Sequence, residues 1–200
     1  MVSFQSLTRN LKFGTLNINR MRILRENSVG LVIDIQERLV PAMEESEVFV
    51  ENSKKLIQGL QILGLPLLVT QQYTKGLGET IEEVKALIPD FQYIEKKDFS
   101  CFDEPVFAEK LAGSGKKTVI ICGIESHVCV LQTAIDLKAA GYVPVVVMDC
   151  VSSRSFDNVD LAAERFRHEG IMMTSYESVL FELTRSAGAP GFKEISKLVK

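Results

Sequence analysis

The chain has 200 residues, of which 46% are hydrophobic and 24% charged, and its formal net charge is −3. This composition is typical of one globular domain with a full core, and it excludes a disordered, collagen-like or low-complexity chain. The 23 basic and 26 acidic side chains are mixed along most of the sequence, so charge gives no basis for a nucleic-acid or membrane partner.

The N-terminal segment, residues 1–26, contains five basic residues and no acidic residue before Glu26. Organellar transit peptides have this character, but Met21 would also make a natural start just ahead of the first strand. We interpret residues 1–26 as an extension or a misassigned start, and we expect residues 27–200 to form a single domain. The expected location is the cytoplasm, with organellar targeting by the basic segment left open.

From residue 29 onward, short runs of β-branched residues alternate with stretches of helical periodicity. The predicted strands are 29–34, 66–70, 91–95, 118–122, 143–148 and 171–174. The predicted helices are 48–63, 79–87, 104–111, 128–140, 157–168, 175–184 and 192–199. Strands that are apolar on both faces and alternate with amphipathic helices predict an α/β fold, a three-layer α/β/α sandwich around a doubly wound six-stranded parallel sheet.

Four reactive side chains of three kinds, an acid, lysines and a cysteine, lie at or just beyond the ends of predicted strands, where such sheets bind their ligands. Asp34 ends the first strand, Lys96 and Lys97 follow the third, and Cys129 lies in the first turn of the helix after the fourth. A thiol at a helix start near a lysine is expected to have a lowered pKa. A nearby carboxylate could move its proton, and amides at the helix start could bind an oxyanion.

Four segments in chain order resemble the isochorismatase-like cysteine hydrolases, and the resemblance covers residues 29 to about 184. They are 34–36, 70–78, 96–102 and 123–130. The last of them, Gly-Ile-Glu-Ser-His-Val-Cys-Val, is the most specific. Within the family, the sequence is most similar to the isochorismatase-domain-containing proteins of unknown substrate.

The resemblance implies a catalytic triad of Asp34, Lys96 and Cys129, in which the register of the family's lysine segment selects Lys96. It also implies a non-proline cis peptide bond, which maps onto Ile124–Glu125. That bond would aim the amides of Glu125 and Cys129 at one substrate oxygen, as an oxyanion site.

Three further residues, Gln36, Tyr73 and Phe102, lie just beyond a strand end or in the lysine loop. We expect them to line the substrate pocket, although the two aromatic residues fit an ordinary core role equally well.

The remaining cysteines, Cys101, Cys122 and Cys150, are interpreted as packing residues, because free cysteine is among the most buried residue types. His127 stands two residues before Cys129, and such neighbours on a helix do not face each other. We expect His127 to point outward, to line the rim of the pocket or to contact another subunit.

The nicotinamidase branch of the family carries an Asp-x-His metal motif with further histidines. This sequence has no histidine before His127, so that metal site cannot be built. We therefore expect no metal and no cofactor, and the departure argues against nicotinamidase activity.

These residues predict a cofactor-free hydrolase of the Asp-Lys-Cys type, which cleaves a small amide- or imide-type C–N bond through a thioester on Cys129. Two alternatives remain open: a vinyl-ether hydrolase of the isochorismatase type, and a catalytically idle scaffold of the same fold. The expected partners are a small-molecule substrate and, from the resemblance, further copies of the chain in a homodimer or larger assembly.

Overall fold

The computed structural model describes residues 22–200, so residues 1–21 of the predicted extension lie outside the described residues. The strands are β1 (Ser28–Ile33), β2 (Leu67–Gln72), β3 (Ile94–Lys96), β4 (Thr118–Ile124), β5 (Val143–Ser152) and β6 (Met172–Thr174). They pair in parallel in the order β3-β2-β1-β4-β5-β6. The predicted six-stranded, doubly wound parallel sheet is confirmed.

The helices are α1 (Ser46–Ile62), α2 (Thr74–Leu77), α3 (Glu82–Lys85), α4 (Pro105–Gly113), α5 (Leu131–Ala139), α6 (Phe156–His168), α7 (Tyr176–Thr184) and α8 (Phe192–Leu198). Short 3-10 helices occur at Arg25–Asn27, Val40–Ala42 and Cys101–Asp103, and a π-helical turn occupies Ser126–Val130.

Two hydrophobic cores lie on opposite faces of the sheet, because successive residues of a strand point to opposite sides. Val32 and Ile120 pack in the core that includes residues of α1, α7 and α8. Their neighbours Leu31 and Ile121 pack in the core that includes residues of α4, α5 and α6. The predicted three-layer α/β/α sandwich is therefore confirmed.

Two boundaries that bear on the site differ from the sequence prediction. The third strand was predicted over 91–95 but spans Ile94–Lys96, because Lys96 pairs with Gln72 of β2. The helix predicted over 128–140 is preceded by the π-helical turn and begins as α5 at Leu131.

The start of the described chain packs against the domain. Ile23 is buried, and its amide donates a 2.9 Å hydrogen bond to Oε1 of Glu182 in α7. Within residues 22–200, no helix has the length and apolar character that crossing a bilayer would require.

The chain order of the sheet reverses between its two central strands, β1 and β4, which is where doubly wound folds place their sites. Gly123 of β4 pairs with Ile33 of β1 and has a φ of 124°, outside the range that other residues favour. A Cβ atom on Gly123 would collide with the carbonyl oxygen of Ile33. The absence of a side chain therefore lets the ends of the two strands approach closely.

Candidate active site

Asp34 follows the last residue of β1, has a positive φ of 52° and has a side chain inaccessible to solvent. Its Oδ1 accepts a 2.8 Å hydrogen bond from Oγ1 of Thr70 in β2, and its Oδ2 lies 2.7 Å from Nζ of Lys96. Burial raises the pKa of the Asp34 carboxyl above its ordinary value, while Lys96 and Thr70 oppose that rise. A carboxylate made more basic in this way is suited to act as a general base.

Lys96 is the last residue of β3, and only 1% of it is exposed. Its Nζ donates to Oε1 of Gln72 at 2.6 Å and to the carbonyl oxygens of Asp98 and Phe99, both at 3.2 Å. The contact with Asp34 is an ion pair outside the angles of a hydrogen bond. Burial lowers the pKa of Lys96, but the charge of Asp34 more than offsets this and leaves the pKa raised. The ammonium is therefore charged at neutral pH.

Cys129 lies in the π-helical turn between β4 and α5. The last residue of this turn donates its amide hydrogen to the carbonyl oxygen of Glu125, five residues back, at 3.2 Å. Single turns of this kind are frequent at functional sites. The Ile124–Glu125 peptide bond just ahead is cis, at the position that the resemblance implied. Cys129 is 7% exposed, which makes it more open to solvent than Asp34 or Lys96.

The pKa of the Cys129 thiol is raised, whereas the sequence predicted a lowered pKa. Burial raises the pKa of Cys129 to about 12, the carboxylate of Asp34 raises it further, and the ammonium of Lys96 opposes both. The expectation was wrong because Lys96 is already paired with Asp34, so its charge cannot offset the burial of the thiol. Cys129 is thus a neutral thiol at neutral pH, and Asp34 is near enough to hydrogen-bond with it.

The turn that carries Cys129 is bonded through three consecutive side chains to the segment that begins at the end of β5. The contacts are Ser126 Oγ to the Ser152 carbonyl oxygen at 2.9 Å, His127 Nδ1 to Ser153 Oγ at 3.0 Å, and Arg154 Nε to Glu125 Oε2 at 2.9 Å. His127 is therefore half-buried against this segment. These contacts hold the turn that carries Cys129 from the end of β5. Asp34 and Lys96 lie on the other side of β4 in the strand order, at the ends of β1 and β3.

Two residues that contact the charged pair, Thr70 and Gln72, were missed by the sequence analysis. The available signal was their polar character near the end of a buried strand beside that of Asp34. Cys101, predicted as a packing residue, is fully buried, and its thiol lies 3.7 Å from Oγ1 of Thr70. Burial raises the pKa of Cys101 to about 12. Cys101 therefore both packs and contributes to the surroundings of Asp34.

The three predicted pocket residues have different positions. Gln36 is fully buried, and its side-chain amide bonds to the main chain. It donates hydrogen bonds to the carbonyl oxygens of Gln72 at 3.0 Å and Gly78 at 2.7 Å. It thereby holds the segment after β2 in place. Tyr73 is 48% exposed. Phe102 is half-buried, with its ring edge-on to that of Tyr142 at a centroid distance of 6.0 Å.

Cys122 and Cys150 lie away from Asp34, Lys96 and Cys129, in the core formed with α1. Asp149, near the end of β5, accepts a 2.9 Å hydrogen bond from the amide of Tyr176 and so caps the start of α7. Burial raises the pKa of Asp149. Among residues 22–200, no three His, Cys, Asp or Glu side chains are grouped so that they could hold a metal ion.

Comparison with known proteins places the chain among related sequences along most of its length. A family model described as the isochorismatase domain matches residues 28–178. The secreted isochorismatase effector Isc1 of Phytophthora sojae is 37% identical over 183 residues, which cover 90% of this chain and 87% of the effector. Isochorismatase domain-containing protein 2 of Danio rerio is 36% identical over 178 residues, 89% of each chain.

A solved structure agrees with the sequence comparisons. The MAR1 ribonuclease of Caenorhabditis elegans superimposes with a TM-score of 0.85 and 35% sequence identity. The match covers 90% of this chain and 92% of that one.

Proposed function

The chain belongs to the isochorismatase domain family, with its hydrolase fold, and from this premise we propose that it hydrolyses a small amide or imide through a thioester on Cys129. The observation that carries the proposal is the ion pair between Asp34 and Lys96, 2.7 Å apart and closed to solvent, beside a more open thiol. We also propose that no cofactor takes part.

In the first step, Sγ of Cys129 attacks the carbonyl carbon while its proton passes to the carboxylate of Asp34. A base is required because the neutral thiol is a weak nucleophile and its pKa is about 12. The new S–C bond places a negative charge on the substrate oxygen. The amides of Glu125 and Cys129 are the proposed donors that stabilise this oxyanion.

In the second step, the C–N bond breaks, and the leaving nitrogen takes the proton from Asp34. Water then attacks the thioester and gives its proton to Asp34. The S–C bond breaks, the acid is released, and the proton passes from Asp34 back to the sulfur of Cys129. Lys96 stays protonated throughout and stabilises the carboxylate each time Asp34 loses its proton.

The test is to incubate the protein with a panel of small amides and imides and to search for the thioester on Cys129 by mass spectrometry. Wild type and Cys122→Ala should turn over the same substrates, because Cys122 is buried away from the triad. Cys129→Ala should form no adduct and no product. Turnover that survives in Cys129→Ala would exclude the thioester.

Vinyl-ether hydrolysis is the second candidate, favoured by the 37% identity to the Phytophthora sojae protein named as an isochorismatase effector. In that reaction Asp34 would protonate the substrate, and Cys129 would not form a bond. Isochorismate belongs in the same panel, and its hydrolysis by both wild type and Cys129→Ala would select this candidate. RNA also belongs in the panel, because the Caenorhabditis elegans neighbour is named a ribonuclease.

Self-association and location are further proposals. Val48 and Phe156 each expose more than half of their surface and line the same groove, which supports burial against another copy of the chain. Light scattering should then give a mass of at least twice 22.3 kDa.

The four free, buried cysteines support a reducing compartment such as the cytoplasm. If the protein is a catalytically idle scaffold, it should turn over none of these substrates even though Asp34, Lys96 and Cys129 are all present.

A further inference from the structure

We propose that Thr70 is a positioning residue of the triad, which holds one oxygen of Asp34 and leaves the other to accept the proton of Cys129. This inference rests on the proposed function, because it takes Asp34 as the base and Cys129 as the nucleophile.

The two carboxylate oxygens of Asp34 have different surroundings. Oδ1 accepts the 2.8 Å hydrogen bond from Thr70, and both residues are fully buried. Oδ2 lies 2.7 Å from Nζ of Lys96, yet within residues 22–200 no hydrogen bond is directed at it. A buried carboxylate oxygen without an aligned donor has lone pairs free to take a proton. Oδ2 is therefore the proposed acceptor.

Cys101 orients the hydroxyl group of Thr70. The thiol of Cys101 donates to Oγ1 of Thr70 at 3.7 Å, so the hydroxyl proton is left to point at Asp34. The amide of Cys101 in turn donates to Oγ1 of Thr133 at 2.9 Å, which fixes Cys101 in place. A chain of hydrogen bonds thus runs from the Cys101–Asp103 helix through β2 to the base.

The bond from Thr70 also helps to keep Asp34 ionised. The titratable groups that face Asp34 are Lys96 from β3, Cys129 from the π-helical turn and Cys101 from the 3-10 helix. Burial raises the pKa of Asp34, and the hydroxyl of Thr70 lowers it by stabilising the charged form. Thr70 therefore selects the reacting oxygen and helps to keep the carboxylate ionised at neutral pH.

The test measures the rate at which iodoacetamide alkylates Cys129 as a function of pH, read by mass spectrometry of the peptide. In this reaction the S–C bond forms, iodide leaves and the thiol proton passes to Asp34. The wild-type rate should rise through an inflection where Asp34 ionises, and rise again towards the ionisation of the thiol. Thr70→Val keeps the shape but removes the donor. It should move the inflection to higher pH and lower the rate above it about tenfold.

Two controls separate positioning from a general loss of structure. Thr70→Ser restores a donor and should behave like the wild type. Thr184→Val removes another buried threonine hydroxyl, which donates to the carbonyl oxygen of Leu180 at 2.7 Å in α7, and should leave the profile unchanged. An unmoved inflection in Thr70→Val would overturn the role of Thr70.

A second pair of variants applies if Thr70→Val does not fold. Cys101→Ala frees the hydroxyl of Thr70 to rotate and should move the inflection in the same direction, whereas Cys101→Ser should restore it. No shift in Cys101→Ala would also overturn the inference. An inflection that persists in Asp34→Asn would instead refute Asp34 as the base, and with it the proposed function.

Discussion

Nζ of Lys96 lies 2.7 Å from Oδ2 of Asp34, and both side chains are closed to solvent. Each charge compensates the other, so together they have little net effect on a third group. Burial can therefore raise the pKa of the neighbouring thiol, Cys129, to about 12. The arrangement therefore holds a neutral thiol next to a carboxylate, instead of a permanent thiolate that would react with many electrophiles.

Asp34→Asn should lower the pKa of Cys129, because it removes the carboxylate that raises this pKa and leaves the ammonium of Lys96 unopposed. In a plot of the Cys129 alkylation rate against pH, the rise that accompanies ionisation of the thiol should therefore move to lower pH. Hydrolysis should nevertheless fall by about 10²–10⁴-fold, since no base remains. Asp149→Asn, which changes a carboxyl away from the triad, should alter neither quantity. A rise that moved to higher pH would contradict this account.

Lys96→Met should lower the free energy of unfolding at pH 7 by about 3–5 kcal/mol, because it leaves the charge of Asp34 buried without a partner. The loss should shrink as the pH falls, since protonation removes that charge and the pKa of Asp34 is already raised by burial. Urea unfolding at pH 7 and pH 5 measures both effects. The double variant Asp34→Asn/Lys96→Met should recover much of the loss, and a double variant less stable than Lys96→Met would refute the explanation.

Buried thiols should make the fold sensitive to alkali. Burial raises the pKa of Cys122 from 9.0 to about 12, so the folded chain keeps a proton that the unfolded chain loses above pH 9. The contribution of each such thiol to the free energy of unfolding is therefore fully present below pH 9. It falls by about 1.4 kcal/mol per pH unit as the pH rises from 9 to 12. Cys122→Ala should be less stable than wild type at pH 7, and the gap should narrow by about 1.4 kcal/mol at pH 10. Equal pH slopes in urea unfolding would contradict this.

Gly123→Ala should destabilise the protein by about 3 kcal/mol or more, because the new Cβ atom collides with the main chain of Ile33 and the φ of 124° is unfavourable for alanine. Gly113→Ala is the matched control, since a Cβ atom there has open space around it, and its thermal midpoint should stay near that of wild type. A Gly123→Ala variant with a wild-type midpoint would show that the two strands can separate without cost.

The sequence could place Asp34 and Cys129 near each other because parallel strands end at the same edge of a sheet. It could not assign Thr70 or Gln72, because their contacts depend on the register that pairs Ile33 with Thr70 and Gln72 with Lys96. Register is decided by the packing of the whole sheet rather than by a local pattern.

Two other features could not be predicted from the sequence, for physical reasons. The π-helical turn at Ser126–Val130 has no signature in hydrophobic periodicity, which cannot distinguish one wide turn from the start of an α-helix. The direction of the pKa of Cys129 depends on how deeply the thiol is buried and on the prior pairing of Lys96 with Asp34. Both follow from three-dimensional packing.

The order of the sheet divides the proposed triad between two halves of the chain. Asp34 and Lys96 belong to the half formed by β1, β2 and β3, whereas Cys129 follows β4 in the other half. The partly exposed turn at residues 114–117 joins the halves. A protein cut in this turn would yield two fragments, one with the acid and the cation and the other with the nucleophile. Turnover by the proposed triad would then require their reassembly along β1 and β4, so the cut protein would act as a split reporter of molecular proximity.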